Sequence, residues 1–255
     1  MALFTDGPPA CIDDLSAQDS QLLNIANVEG IDVTQKLRLA HEEIGIQLYA
    51  ALARSQSPEQ PFWQPAGSAL ENVVVTPPLK LWHAYRALEM VYADAYNSQL
   101  NDRYAGRRDQ FHGLAQWAHE KLVQIGIGMT PLPVAQAQPP TVSATAGGPL
   151  PDGTYYATMA WVNSSGAEGA AAAPTDVNIE ANTIRVSPSA APGGVAGWNV
   201  YVGTDPRSLI RQNSQPLALG DVWLQYVPPA FDGAKPGTGQ TPTYVHPIPR
   251  VLQRG

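Results

Sequence analysis

Five histidines and one cysteine are the side chains of this 255-residue chain best suited to hold a metal or carry a proton. His41-Glu42-Glu43 starts as the helical zinc-protease motif starts. That motif needs a second histidine one turn on, and Gly45 stands there. A single imidazole leaves the metal without its partner ligand, so this site fails. His112 and His119 lie seven residues apart, close enough to share a helix face, with Glu120 beside the second. A metal pair is one reading, and histidines that pack between helices or face water are the other. His83 and His246 stand alone. Cys11 excludes an internal disulfide and a CxxC site. No GxSxG elbow offers a nucleophilic serine. Gly237-Thr-Gly-Gln-Thr241 has phosphate-loop glycines but lacks the Gly-Lys-Ser/Thr end that supplies the lysine and the magnesium ligand. Among 22 carboxylates no spacing singles out an acid–base pair. Asp13-Asp14 read as first-turn charges and Glu42-Glu43 as a solvated face. The chain therefore reads as non-enzymatic, with no catalytic, cofactor or metal residue to name.

Residues suited to contact are easier to find. Arg103, Arg107 and Arg108 form the one basic cluster, and the first two share a helix face. Asp102 and Asp109 flank them, so salt bridges between helices or between chains compete with contact to DNA phosphates. Phe62 and Trp63 sit in a proline-broken stretch, either packed on the helices or held out to another chain. Tyr155, Tyr156, Trp161, Trp198, Tyr201, Trp223 and Tyr226 could include a sugar-stacking platform, although several must fill a core.

Those residues need elements to carry them. An apolar share of 44% is that of a folded protein, and a charged share of 15% is low. Such a surface suits contact with neighbours. The net charge of −7 is concentrated before Pro139, where 15 acidic residues face 9 basic ones. That balance argues against wrapping nucleic acid, yet an acidic wall could line a channel through which DNA slides. The N-terminus lacks the basic and apolar regions of a signal peptide, and no run reaches the length of a membrane span.

The first half reads helical. A short helix near Leu22 stops at Gly30, and Asp32 or Thr34 caps a second that runs to about Arg54. Its buried stripe is Leu37, Ala40, Ile44, Leu48 and Leu52. Residues 55–78 form a loop rich in proline and aromatics. A third helix spans about 79–100, with Leu81 or Trp82, Tyr85, Leu88 and Met90 or Val91 inward. A fourth spans about 103–125, with Phe111, Leu114, Ala118, Leu122 and Ile125 inward, and Gly126 and Gly128 end it as left-handed caps. Residues 131–140, with several prolines, read as a stiff linker. From 141 to 228 the period changes to two. Short strands cover 153–162, 176–180, 183–186, 198–202, 209–212 and 222–227, with Ala181-Asn182 as a hairpin turn. The expected class is α + β in two domains: an N-terminal antiparallel helical bundle over 1–130 and a C-terminal all-β sandwich over 141–228. Residues 229–255 follow as an extended arm with Tyr244, Val245 and Ile248 as apolar anchors.

Two resemblances follow from particular stretches. Leu15 to Leu23, Glu29-Gly-Ile-Asp-Val33 before a long helix, and Asn101-Asp-Arg-Tyr-Ala-Gly-Arg-Arg-Asp-Gln-Phe111 opening the last one resemble the head-to-tail connector (adaptor, head-completion) proteins of tailed bacteriophages. The likeness covers about half the chain and is one of pattern, without a diagnostic motif. Asp152-Gly-Thr-Tyr-Tyr-Ala157, Ser164-Ser-Gly-Ala-Glu168 and Gly197-Trp-Asn-Val-Tyr-Val-Gly203 resemble a fibronectin type III-like or immunoglobulin-like domain. The first resemblance implies a virion protein of the neck, assembled in the host cytoplasm as a homo-oligomeric ring of about twelve copies. Its implied partners are the portal protein, a downstream neck or tail protein and double-stranded DNA in transit, with no membrane and no cofactor. The implied interface residues are Phe62, Trp63, Arg103, Arg107, Arg108, Tyr244, Val245 and Ile248. The alternative is another tail, baseplate or decoration protein whose sandwich binds a surface glycan or protein.

Overall fold

A computed structural model describes residues 1–55, 70–99, 102–148, 150–237 and 240–247. These form two compact units, each assembled from separate stretches of chain. One is helical and holds Gly7–Met129 with the described residues from Pro242 on; the other is built of β-sheet and holds Met1–Asp6 with Thr130–Thr241.

Among the described residues the helical unit contains α1 (Ile12–Gln18), α2 (Leu22–Glu29), α3 (Val33–Ser55), α4 (Pro77–Gln99) and α5 (Ala105–Ile125). The single short helix expected before Gly30 is two, because Asp19 leaves the helical region and accepts the Gln21 N–H at 3.0 Å on its Oδ1. Gly30 ends α2 in the left-handed conformation, and Asp32 caps α3 by accepting the Gln35 N–H at 3.0 Å, with Thr34 inside the helix. Pro77 and Pro78 open α4 rather than lying in the loop before it. Neither has an N–H for the first turn to leave unpaired, and the Thr76 carbonyl accepts from Lys80. The α3 stripe is buried as its spacing dictates, and so are Trp82, Tyr85, Leu88 and Val91. On α5 the stripe drifts. Ala115 is buried, Leu114 is half-buried and Ile125 is exposed. Helix α4 packs against both α3 and α5. It runs antiparallel to α3, since Lys36 pairs with Asp94 and Glu43 with Arg86, and antiparallel to α5, since Trp82 meets His119 and Tyr92 meets Tyr104.

The loop read over 55–78 falls largely outside the described residues, Phe62 and Trp63 included. Its far end is ordered: Val73 and Val74 are buried, and the Val74 N–H donates to the Gly128 carbonyl at 2.9 Å. Gly128 lies in strand β1 (Ile127–Met129), which follows α5.

The β unit contains β2 (Thr141–Ala146), β3 (Gly153–Asn163), β4 (Thr175–Ile179), β5 (Asn182–Ser187), β6 (Val195–Gly203), β7 (Ile210–Arg211) and β8 (Trp223–Gln225). They pair antiparallel in two sheets, ordered β2-β5-β8 and β4-β3-β6-β7. The hairpin expected at Ala181-Asn182 is instead a crossing between sheets. Ala181 takes a positive φ of 51°, its N–H donates to Asp152, and the chain passes from β4 in one sheet to β5 in the other. Ile179 on one side of the crossing and Ile184 and Val186 on the other enter the same core, which a hairpin within one sheet would not require. Trp161 and Trp198 face each other across β3 and β6 and are both buried in that core. Val134 and Ala137 join it too, and the Ala137 N–H donates to the Ala170 carbonyl, so the stretch read as a linker is folded into the β unit.

The stretch from 229 on is not a free arm over its described residues. Ala234 accepts the Arg211 N–H, and Gln240 is buried with its Oε1 accepting the Val134 N–H at 3.0 Å. Beyond Pro242, strand β9 (Thr243–Val245) pairs antiparallel with β1, Ile127 opposite Val245 and Met129 opposite Thr243. This pairing corrects the reading of Gly126 and Gly128. Gly126 has φ 104° and ψ 157°, outside the left-handed helical region. A Cβ on Gly128 would lie 2.7 Å from Thr76 Cγ2 and 3.0 Å from Pro242 Cβ. These glycines let β9 and the start of α4 close on β1. Gly128→Ala is therefore expected to cost about 2 kcal/mol in urea unfolding, and Thr76→Ser, which removes the nearest methyl, should restore part of that loss in the double variant. An unchanged unfolding midpoint in Gly128→Ala would refute the close-approach role.

Candidate functional site

Helix α3 has two apolar faces. Opposite the buried stripe lie Leu39, Glu42, Ile46, Tyr49 and Ala53, all exposed, with Ile46 at 71%. An isoleucine left in water forgoes about 1.5–3 kcal/mol that burial would return. Sequence reasoning saw only the inward stripe. The signal it passed over is a second set of apolar residues in the same helix, at 39, 46 and 49. On α5, Trp117, Val123 and Ile125 are also exposed.

The arginine cluster sits where a 3-10 turn (Asp102–Tyr104) leads into α5. Arg103 stacks its guanidinium on the Tyr104 ring, 4.6 Å from the centroid, and donates to the Tyr104 hydroxyl, which in turn donates to Glu29 on α2 at 2.8 Å. Arg108 lies 4.7 Å over the Tyr96 ring and pairs with Asp109 at 2.8 Å. Arg107 bonds the neutral Gln110 at 3.2 Å and is exposed. So the cluster divides: Arg103 and Arg108 are held by their own chain, and Arg107 presents the least compensated charge. Tyr244 on β9 is exposed and Val245 half-buried against β1. Phe62, Trp63 and Ile248 lie outside the described residues.

The groups considered for chemistry are used in packing. His112 bonds Glu89 at 2.8 Å and Gln116 at 2.9 Å. His119 lies against the Trp82 ring at 4.6 Å, and burial lowers its pKa against the pull of Glu120. Among the described residues no group of three His, Cys, Asp or Glu could hold a metal ion. Of the seven aromatics weighed as a sugar platform, Tyr155, Trp161, Trp198 and Tyr201 are buried, Tyr156 and Trp223 are half-buried, and Tyr226 is exposed. The outward apolar residues of the β unit include Leu132, Leu219, Val222, Tyr226, Val227 and Phe231, the last 87% exposed.

Two polar knots are closed. Arg86 on α4 donates to Glu43 on α3 at 2.8 Å and lies 2.6 Å from Glu89. Burial alone would lower its pKa, and the two carboxylates outweigh that and raise it. In the β unit, buried Glu168 accepts from Asn199 Nδ2 at 2.6 Å, from the Tyr201 hydroxyl and from the Gly237 N–H at 3.0 Å. Burial and that carboxylate push the Tyr201 pKa upward. With three donors on its oxygens, Glu168 serves as an anchor for the 237 segment rather than as a base awaiting a substrate.

Glu168→Gln turns an amide N–H₂ toward a shell of donors. It is expected to destabilise the protein by about 2 kcal/mol, read as a lower thermal midpoint, while Glu180→Gln at an exposed carboxylate should leave the midpoint in place. No protein-family model, no curated protein and no solved structure matches this chain.

Proposed function

We propose that this chain is a structural virion protein of a tailed bacteriophage and not an enzyme: a head-to-tail adaptor whose copies join in a ring on the portal. On this reading it lies in the neck, is assembled in the host cytoplasm, meets a downstream neck or tail protein and lines the passage for double-stranded DNA. The observation that carries the reading is the second apolar face of α3, where Leu39, Ile46 and Tyr49 are exposed along more than two turns. A lone chain gains nothing from such a face, and a neighbouring copy covers it. In a ring the contact is heterologous, one surface of each copy against a different surface of the next, and repetition multiplies a modest contact. The acidic balance of the first half suits a wall past which DNA slides without sticking.

For the β unit the reading is a fibronectin type III-like or immunoglobulin-like domain. The order β4-β3-β6-β7 corresponds to strands C′, C, F and G of such folds, and the β2–β5 pair to B and E. The departure is β8, which takes the free edge of β5, with no counterpart of strand A beside β2 among the described residues. The second functional reading, a tail, baseplate or decoration protein that binds a surface glycan or protein, is favoured by the exposed Tyr226, Val227 and Phe231.

Mass in solution, with and without the portal protein from the same phage, decides between these readings. The adaptor predicts a ring alone or on the portal, and Ile46→Glu should leave the far-UV spectrum intact and reduce the ring to monomer. A monomer that ignores the portal and binds an immobilised glycan through Phe231 would replace the first reading by the second.

A further inference from the structure

We propose that His83 is a proton-operated latch: neutral, it fastens the segment Gly7–Cys11 to α3 and α4, and protonated, it releases that segment and widens the cleft beside it. The ring is fully buried on α4. Its Nε2 lies 2.9 Å from the Leu37 carbonyl oxygen on α3, and its Nδ1 lies 3.3 Å from the Ala10 N–H. A carbonyl only accepts and an amide N–H only donates. The proton must therefore sit on Nε2, and Nδ1 must keep its lone pair for Ala10. A second proton on Nδ1 would set one N–H against another and leave a cation in a dry site.

The charged groups around the ring offer the imidazolium no home. On α3, His41 stands edge-on with its ring centroid 6.2 Å away, and its own protonation adds repulsion. On α1, the Asp14 carboxylate is already taken by the Cys11 N–H at 2.9 Å, the Cys11 thiol at 3.2 Å and the Lys80 ammonium of α4 at 2.7 Å. Asp13 and Arg38 lie farther out, on the rim of the cleft. Burial accordingly pushes the His83 pKa down to about 4, with the Leu37 hydrogen bond and Asp14 opposing and His41 adding to the shift.

Gly7 sits at φ 135° with open space around it, a position that can serve as a hinge. Helix α1 keeps its own ties to α4, through buried Leu15 and the Tyr85 hydroxyl that donates to Gln18 at 3.3 Å. Beside the latch runs an open cleft of about 410 Å³, lined by Pro8, Ala10, Ile12, Leu37 and Arg38. Ala10 and Leu37, the two residues His83 bonds, are thus also the two walls of that cleft. A released ring in water titrates near 6.5 and the latched one near 4. Protons therefore favour release as pH falls through that window, and the latched-to-released ratio drops by up to about 300-fold.

Cys11 is the only cysteine and is exposed, so a pH-insensitive rhodamine maleimide reports on this segment alone. Its anisotropy should fall between pH 6.5 and 4 while the far-UV spectrum holds. The fall should vanish in His83→Gln and persist in His41→Gln. A flat wild-type profile, a fall that survives in His83→Gln, or one that coincides with loss of helical signal would overturn the latch. Should His83→Gln not fold, imidazole nitrogen NMR of the wild-type protein takes its place. An Nε2–H tautomer at pH 7.5 that protonates together with the anisotropy change supports the latch, and an Nδ1–H tautomer, or titration without that change, rejects it.

Discussion

From Leu79 to Ala93, every residue of α4 is buried or half-buried. Polar groups buried on that stretch need a partner inside the protein, because an unpaired buried group costs more than a hydrogen bond returns. Four residues meet this demand by reaching other parts of the helical unit. His83 joins the Gly7–Cys11 segment to α3, Arg86 joins Glu43, Glu89 meets His112 of α5, and Tyr92 donates to Asp19 where α1 gives way to α2. The helical unit is arranged around these obligations. Burial and the Asp19 carboxylate push the Tyr92 pKa upward, so the phenol keeps its proton and goes on donating to Asp19 across the neutral range.

The second constraint is closure by distant chain. Strand β9 meets β1 across more than a hundred residues, and Gln240 meets Val134 across a similar span. Such contacts restrict the chain strongly before any packing repays the cost. They hold because each site is shaped for its late partner: Gly126 and Gly128 clear a path for β9, and the Gln240 amide satisfies both backbone groups of buried Val134. As a result neither unit is a continuous piece of sequence. The helices need residues beyond Pro242, and the β-sheets need those before Gly7.

What faces outward is unusual for its apolar content rather than for its reactivity. Ile46 and Tyr49 on α3, Trp117 on α5, and Tyr226 and Phe231 in the β unit are large side chains facing water, while Glu168, Asp19, His83, His112 and His119 are engaged within the protein. Such surface is the ground on which an assembly role is proposed, and it accords with the sparse charge of the composition.

The sequence by itself determined the two classes of element and their inward faces. The stripes of α3 and α4 follow from a period of 3.6, and β3 and β6 from runs of β-branched and aromatic residues, since local spacing alone decides which side chains share a face. Asp32, Gly30 and the arginine–acid neighbours were legible for the same reason. The partners were not. Ala181-Asn182 looks the same whether the chain turns within a sheet or crosses between two, and which occurs depends on whether Ile179 and Ile184 must reach one core. Gly126 and Gly128 read as helix ends because their neighbours from 242–245 are remote in sequence. His83 looked isolated for the same cause: its acceptor and donor come from residues 37 and 10. Tertiary structure alone decided these points, because they depend on desolvation and close approach, which exist only once distant segments have met.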